Sequence, residues 1–327
     1  MPTTQHNLPD PLGIRAATRM VLQRARWVQL DPAGIESILS VLPSPLPDLP
    51  DWDHSLHWRG TPEQTANYVL LLDALNFCFW GEPRWRIRYR DQLYDGYWAL
   101  AAALRRALER GQPLYDAGYL AQLTDDQIAD LFAGEGTIPL LTCRIEHVRE
   151  VARGLRTACD GQFAHLVRRA DGSAATLVRL VTEVFPSFRD IASYDGLVVP
   201  FYKRAQLLCT DLAGAFHGRE LGSFHDLDAL TAFADYKLPQ VLRFYGALRY
   251  EETLARRIDA REEIPAGSPE EVEIRAATVC AVDELVARLH ARGQPAAAWQ
   301  VDWALWQLGQ SLPPDAPPYH RTRTRFY

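Results

Sequence analysis

Asp302, Asp235 and Lys203 each stand where simple solvation does not explain a charge. Asp302 lies in AAWQVDWALWQL, flanked by Val301, Trp303, Ala304, Leu305 and Trp306. A carboxylate against an aromatic wall can stabilise positive charge developing in a water-poor site, or position a water for attack. Its plainer uses are to cap the last helix or to pair with an arginine. Asp235, in TAFADYKLP, follows Phe233 by two positions. It could accept two adjacent N–H donors from a planar heterocycle, such as a guanine-type edge, with Phe233 stacked on the ring. Equally, it could end a helix and bond the amides of the following turn. Lys203 and Arg204 open a helical pattern in VVPFYKRAQLL. Cations at a helix start oppose the macrodipole, so a bound anion such as phosphate, or a neighbouring acid, is expected there.

Other polar positions read more simply. His54 and His57 lie in a tryptophan-rich loop, WDHSLHWRG, where structural roles are the first expectation. Asn76, in LDALNFCFW, is expected to bond backbone, with a ligand role second. Arg321, Arg323 and Arg325 alternate along the tail and fit the wet face of an extended segment better than an anion site. There is no glycine-rich phosphate loop, no G-x-S-x-G and no H-E-x-x-H among the nine histidines. No metal or cofactor is expected. The five cysteines are scattered without metal-ligand spacing and read as reduced thiols. A formal charge of −6 argues against nonspecific nucleic-acid binding, which depends on phosphate neutralisation. With no apolar signal core and no stretch of about 18 apolar residues, the expectation is a cytoplasmic protein without membrane association.

The elements that must hold these residues are mostly helical. Thr61, Pro62 and Gln64 spell a capping box before TPEQTANYVLLLDALNFCFW. Ser268, Pro269 and Glu271 open SPEEVEIRAATVCAVDELVARLH in the same way. AAAWQVDWALWQLGQ is the last helix and carries Asp302. Two helical patterns are expected to meet at Lys237-Leu238-Pro239 in a tight hairpin. One segment changes period: Arg84, Arg86, Arg88 and Arg90 alternate with Trp85, Ile87 and Tyr89, which predicts one arm of a β hairpin with the arginines in water. With 327 residues, 47% of them hydrophobic, the core is ample. The expected fold is mainly α: a single domain over 1–327 with a small β hairpin, residues 1–50 forming an N-terminal helical and loop extension.

From about residue 54 onward the chain resembles the queuosine salvage proteins, which are queuosine 5'-phosphate N-glycosylases. The resemblance rests on eight segments in order: LNFCFW (75–80), YDGYWAL (94–100), FPSFRD (185–190), FYKRAQLL (201–208), FADYKLPQVL (233–242), EIRAATVCAVDEL (273–285), DWALW (302–306) and HRTR (320–323). It implies hydrolysis of queuosine 5'-phosphate to release queuine, a 7-deazaguanine base used in tRNA modification. It also implies a helical fold similar to helix-hairpin-helix DNA glycosylases, with the hairpin at Lys237–Pro239. By the same resemblance Asp302 is the catalytic carboxylate, Phe233 and Asp235 stack on the base and hold its edge, and His54 makes a further base contact. Trp303 and Gln307 would face that pocket, and Lys203 is a candidate for the ligand's anion. The family pattern has an acid after Leu305-Trp306 where this chain has Gln307, so any contact there would be neutral. The implied partner is a small nucleotide, bound by a monomer with no stable nucleic-acid complex. Two other classes stay in view: a glycosylase acting on polymer, and a non-catalytic protein that binds queuine or a nucleotide.

Overall fold

The computed structural model describes residues 8–49, 52 and 55–327. In chain order it begins with α1 (Ile14–Arg24), β1 (Val28–Leu30), α2 (Pro32–Leu39), α3 (Pro62–Ala74), β2 (Arg86–Tyr89) and β3 (Gln92–Asp95). There follow α4 (Gly96–Glu109), α5 (Ala117–Gln122), α6 (Asp125–Leu131), α7 (Leu141–Ala158), α8 (Ala164–Arg169), α9 (Ala174–Val184), β4 (Ile191–Tyr194), β5 (Leu197–Pro200) and α10 (Lys203–Ala215). The chain closes with α11 (Lys237–Phe244), β6 (Leu248–Tyr250), α12 (Glu252–Asp259), α13 (Pro269–Ala291) and α14 (Ala298–Gln310). The fold is mainly helical, with three small antiparallel sheets among the described residues: β1–β6, β2–β3 and β4–β5. None of the described helices is long and apolar enough to cross a membrane.

The chain divides into two compact units, and the division falls inside α10, after Gln206. The first comprises Met1–Asp48, Asp190–Gln206 and Asp226–Arg323. Its axis is α13, on which α1, α2, α11, α14 and β1 pack. The sequence signals at its start hold: the Ser268 side chain accepts from the Glu271 N–H at 3.3 Å, with Pro269 in the first turn. The core gathers Ile14, Val21, Leu242, Ile274, Val279 and Leu305. Where α13 carries charge inward, the charge has work to do. The fully buried Glu273 carboxylate accepts the backbone N–H groups of Arg26, Trp27 and Val28 and the Tyr194 hydroxyl, fixing the passage from α1 into β1. β4 and β5 turn at Asp195-Gly196, both at positive φ, the conformation a two-residue hairpin of right-handed strands requires.

The second unit comprises Leu49–Arg189, Leu207–His225 and Thr324–Tyr327. The Thr61/Gln64 capping box of α3 is present with both reciprocal bonds. β2 and β3 form the expected hairpin, with Arg86 and Arg88 exposed and Ile87 and Tyr89 buried. Arg84 and Arg88 pair with Asp95 and Glu135, as a solvated face would. His57 is buried and shares a 2.7 Å hydrogen bond with the Tyr97 hydroxyl. Asn76 lies just beyond the end of α3, not within it.

Candidate active site

Asp302 sits in the second turn of α14 and is only 5% exposed. Among the described residues it neither caps a helix nor pairs with an arginine. Its Oδ2 accepts a 2.8 Å hydrogen bond from the backbone N–H of Phe233. Burial pushes the carboxyl up to about 8; the Phe233 N–H opposes this, Asp235 adds to it, and Lys203 opposes it. Charged neighbours of both signs therefore act on one carboxyl in a site that water barely reaches.

The segment before α11 explains how Phe233 gets there. A helix up to Asp235, and a hairpin at Lys237–Pro239, were expected. Instead, one 3₁₀ turn (Leu227–Ala229) leads into an irregular stretch, and Lys237–Pro239 form the first turn of α11. Pro239 fits that turn because its missing N–H has no intrahelical partner there. Residues 229–234 are all buried, so their apolar run reports burial on every side and its spacing marks no helix face.

A buried stretch without a ladder must find other partners for its backbone, and here side chains supply them. Arg15 donates to the Ala229 and Leu230 carbonyls, at 2.8 Å each. Gln206 accepts from the Thr231 N–H at 2.8 Å, and donates to the Thr231 hydroxyl at 3.0 Å and to the Phe201 carbonyl at 2.9 Å. Asp302 holds the Phe233 N–H, and Arg275 Nε donates to the Ala234 carbonyl at 3.1 Å. Asp235 then turns back on α11: its Oδ1 accepts from the Lys237 and Leu238 N–H groups at 2.7 and 2.9 Å. That is the plainer of the two roles read from the sequence. It engages one carboxylate oxygen, Oδ1.

Lys203 begins α10 and is buried. Its backbone N–H donates to Asp190 Oδ2 at 3.2 Å, so an internal carboxylate already sits at this helix start. Trp303 is half-buried and stacks on Trp306, ring centroids 5.3 Å apart and 9° from parallel. Gln307 is exposed, one turn beyond Trp303. His54 lies outside the described residues. Along the tail, His320 and Thr322 are buried while Arg323 is exposed and pairs with Glu263 at 2.9 Å. The expected two-residue alternation is thus present in burial, although only an isolated bridge, Glu263 to Arg321, forms in place of a strand.

Phe233, Asp235 and Lys203 thus each act on Asp302 within the first unit. Reading the residues one by one did not pick out Arg275, Asp190, Gln206 and Thr231 as site-building groups. Arg275 and Asp190 did carry a signal, as charges in the apolar-rich segments EIRAATVC and FPSFRD, which they share with Glu273 and Arg189.

The family model described as Queuosine salvage protein matches residues 56–327. A protein of Sphaerobacter thermophilus is 54% identical over 318 residues, covering 97% of this chain and 98% of that protein. A Mus musculus protein is 34% identical over 338 residues, covering 97% and 99%. One from Schizosaccharomyces pombe is 33% identical over 280 residues, covering 81% and 80%. All three bear the name queuosine 5'-phosphate N-glycosylase/hydrolase.

Proposed function

This chain belongs to the queuosine salvage protein family, and from that premise we propose that it is a hydrolase cleaving the N-glycosidic bond of queuosine 5'-phosphate. Water replaces the base at C1', giving queuine and ribose 5-phosphate. Cleavage of the C1'–N9 bond passes through an oxocarbenium-like state, which a carboxylate close to the sugar stabilises. Asp302 takes that role. The observation that carries the assignment is its buried carboxyl, held in one orientation by the Phe233 N–H.

The other residues follow from the ligand's chemistry. The Phe233 ring stacks on the deazaguanine, and the second oxygen of Asp235 accepts from the base edge. The family resemblance adds His54 as a further base contact, Trp303 faces the base, Gln307 makes a neutral contact, and Lys203 supplies positive charge for the phosphate. A 7-deazapurine has no N7 lone pair to protonate, so hydrogen bonds around the ring must carry leaving-group charge while Asp302 answers the charge on the sugar. Kinship with helix-hairpin-helix DNA glycosylases belongs to the same reading. Its support is the mainly helical fold and the order of the segment 229–235, α13 and Asp302, no longer a hairpin at Lys237–Pro239. We read residues 1–327 as a single domain, with 1–50 as its N-terminal extension, acting as a cytoplasmic monomer.

Mass spectrometry of the pure protein incubated with queuosine 5'-phosphate tests the reading. Queuine should accumulate, and Asp302→Asn, which keeps the shape and removes the charge, should slow its release by about 10²–10³-fold. Equal rates would remove Asp302 from the mechanism.

A further inference from the structure

We propose that Arg275 is a positioning residue, which fixes the backbone between Phe233 and Asp235 by holding the Ala234 carbonyl and so sets the floor of the base pocket. The proposal rests on the reaction assigned above for what that pocket holds, but its geometry stands apart from it.

Arg275 lies on α13 and is 2% exposed. Its Nη1 and Nη2 form a two-pronged pair with Asp190, at 2.9 and 2.5 Å. Its guanidinium lies 3.9 Å over the Phe201 ring, and Glu271 stands 3.7 Å from Nη1. The fork and the ring together fix the guanidinium plane, and with the plane fixed, Nε points at the Ala234 carbonyl, 3.1 Å away. A lysine could answer Asp190 but has no second edge to present.

Asp190 extends the arrangement. Its carboxylate accepts the Lys203 N–H, and its carbonyl accepts from Phe201 and Tyr202 at 2.9 and 3.1 Å. One side chain therefore ties the segment bearing Phe233 and Asp235 to the helix start bearing Lys203. A buried ion pair contributes little net stability compared with apolar residues of similar volume, so its orienting role is the one that distinguishes it. The charged and titratable groups around Arg275 include Asp190, Glu271 and His320, the last kept neutral because burial, then Arg275, push its imidazole down to about 3. Those around Asp302 are Asp235 and Lys203.

Releasing the Ala234 carbonyl loosens the Phe233 N–H on Asp302 and lets Asp235 drift. The hydrogen bond is the larger influence of the two, so its loss moves the Asp302 titration upward. The test compares wild type, Arg275→Lys, and the double variant Arg275→Met with Asp190→Asn. The double variant removes both charges and keeps an acceptor for the Lys203 N–H, so it remains informative if the lysine variant does not fold.

Both should lower kcat/KM for queuosine 5'-phosphate by about 10–100-fold, the scale for a misplaced site, and raise the pH midpoint of kcat/KM. A purely structural role would lower the melting temperature and leave kcat, KM and the pH midpoint of the folded enzyme unchanged, which overturns the proposal. If the wild type itself releases no queuine, the assigned reaction fails, and the proposal is decided by pH-dependent melting with and without Asp302→Asn. An upward shift in the window contributed by Asp302 supports the role of Arg275, and an unmoved window overturns it.

Discussion

Burial keeps the Asp302 carboxyl protonated up to about pH 8 in the free protein, whereas a cation forming at an anomeric carbon needs it ionised. Since kcat/KM reports ionisations of free enzyme, it should rise with pH and level off with a midpoint near 8. A flat profile between pH 6 and 9 would contradict the role. The same shift acts on stability. The unfolded carboxyl loses its proton near 3.8, the folded one only near 8, so across that window the unfolded state binds fewer protons. This group's contribution to stability is therefore fully present below the lower value and lost as pH rises to the upper one. Asp302→Asn removes the slope. Relative to wild type, the variant should gain on the order of several kcal/mol between pH 4 and 8, read from melting curves in matched buffers, while its activity falls. The sequence marked Asp302 because a charge among Trp303, Leu305 and Trp306 is conspicuous. It could not mark the partner: a main-chain N–H 69 positions away leaves no trace in residue type.

The segment 229–234 shows where periodicity stops being informative. A helix with one wet face advertises itself through spacing, as α3 does through Thr61 and Gln64 and α13 through Ser268 and Glu271. A stretch buried all round, whose backbone bonds run to Arg15, Gln206, Asp302 and Arg275, looks like a helix core because every position is apolar or small. The β4–β5 hairpin is a different case: Asp195-Gly196 is a strong turn signal that the helical reading of the region passed over. The dependence on side chains can be tested at Gln206. Gln206→Leu keeps the volume but strands the buried Thr231 N–H and Phe201 carbonyl. Unsatisfied buried groups cost about 1–3 kcal/mol each, so urea unfolding should show a loss of about 2–6 kcal/mol. KM for queuosine 5'-phosphate should rise as well, because the loosened stretch carries Phe233. An unchanged KM with reduced stability would confine Gln206 to the scaffold.

For the whole molecule, the decisive quantity is charge. A formal −6 over 327 residues, with Arg84, Arg88, Arg243 and Arg323 each paired to an acid, disfavours binding that depends on neutralising many phosphates. A protein that grips 6–10 phosphates loses about 10³–10⁵ in affinity between 50 and 200 mM salt, whereas one that neutralises a single phosphate loses far less. This protein's kcat/KM on queuosine 5'-phosphate should therefore fall by less than about 10-fold over that range. Intact queuosine-containing tRNA should yield no queuine at any salt concentration. A steep salt dependence together with release from tRNA would instead place the enzyme among polymer-acting glycosylases. Phe233 and the carboxylate of Asp235 would then be reading a base extruded from an RNA chain, at the added cost of unstacking it, and local phosphate contacts would have to outweigh the net charge of −6.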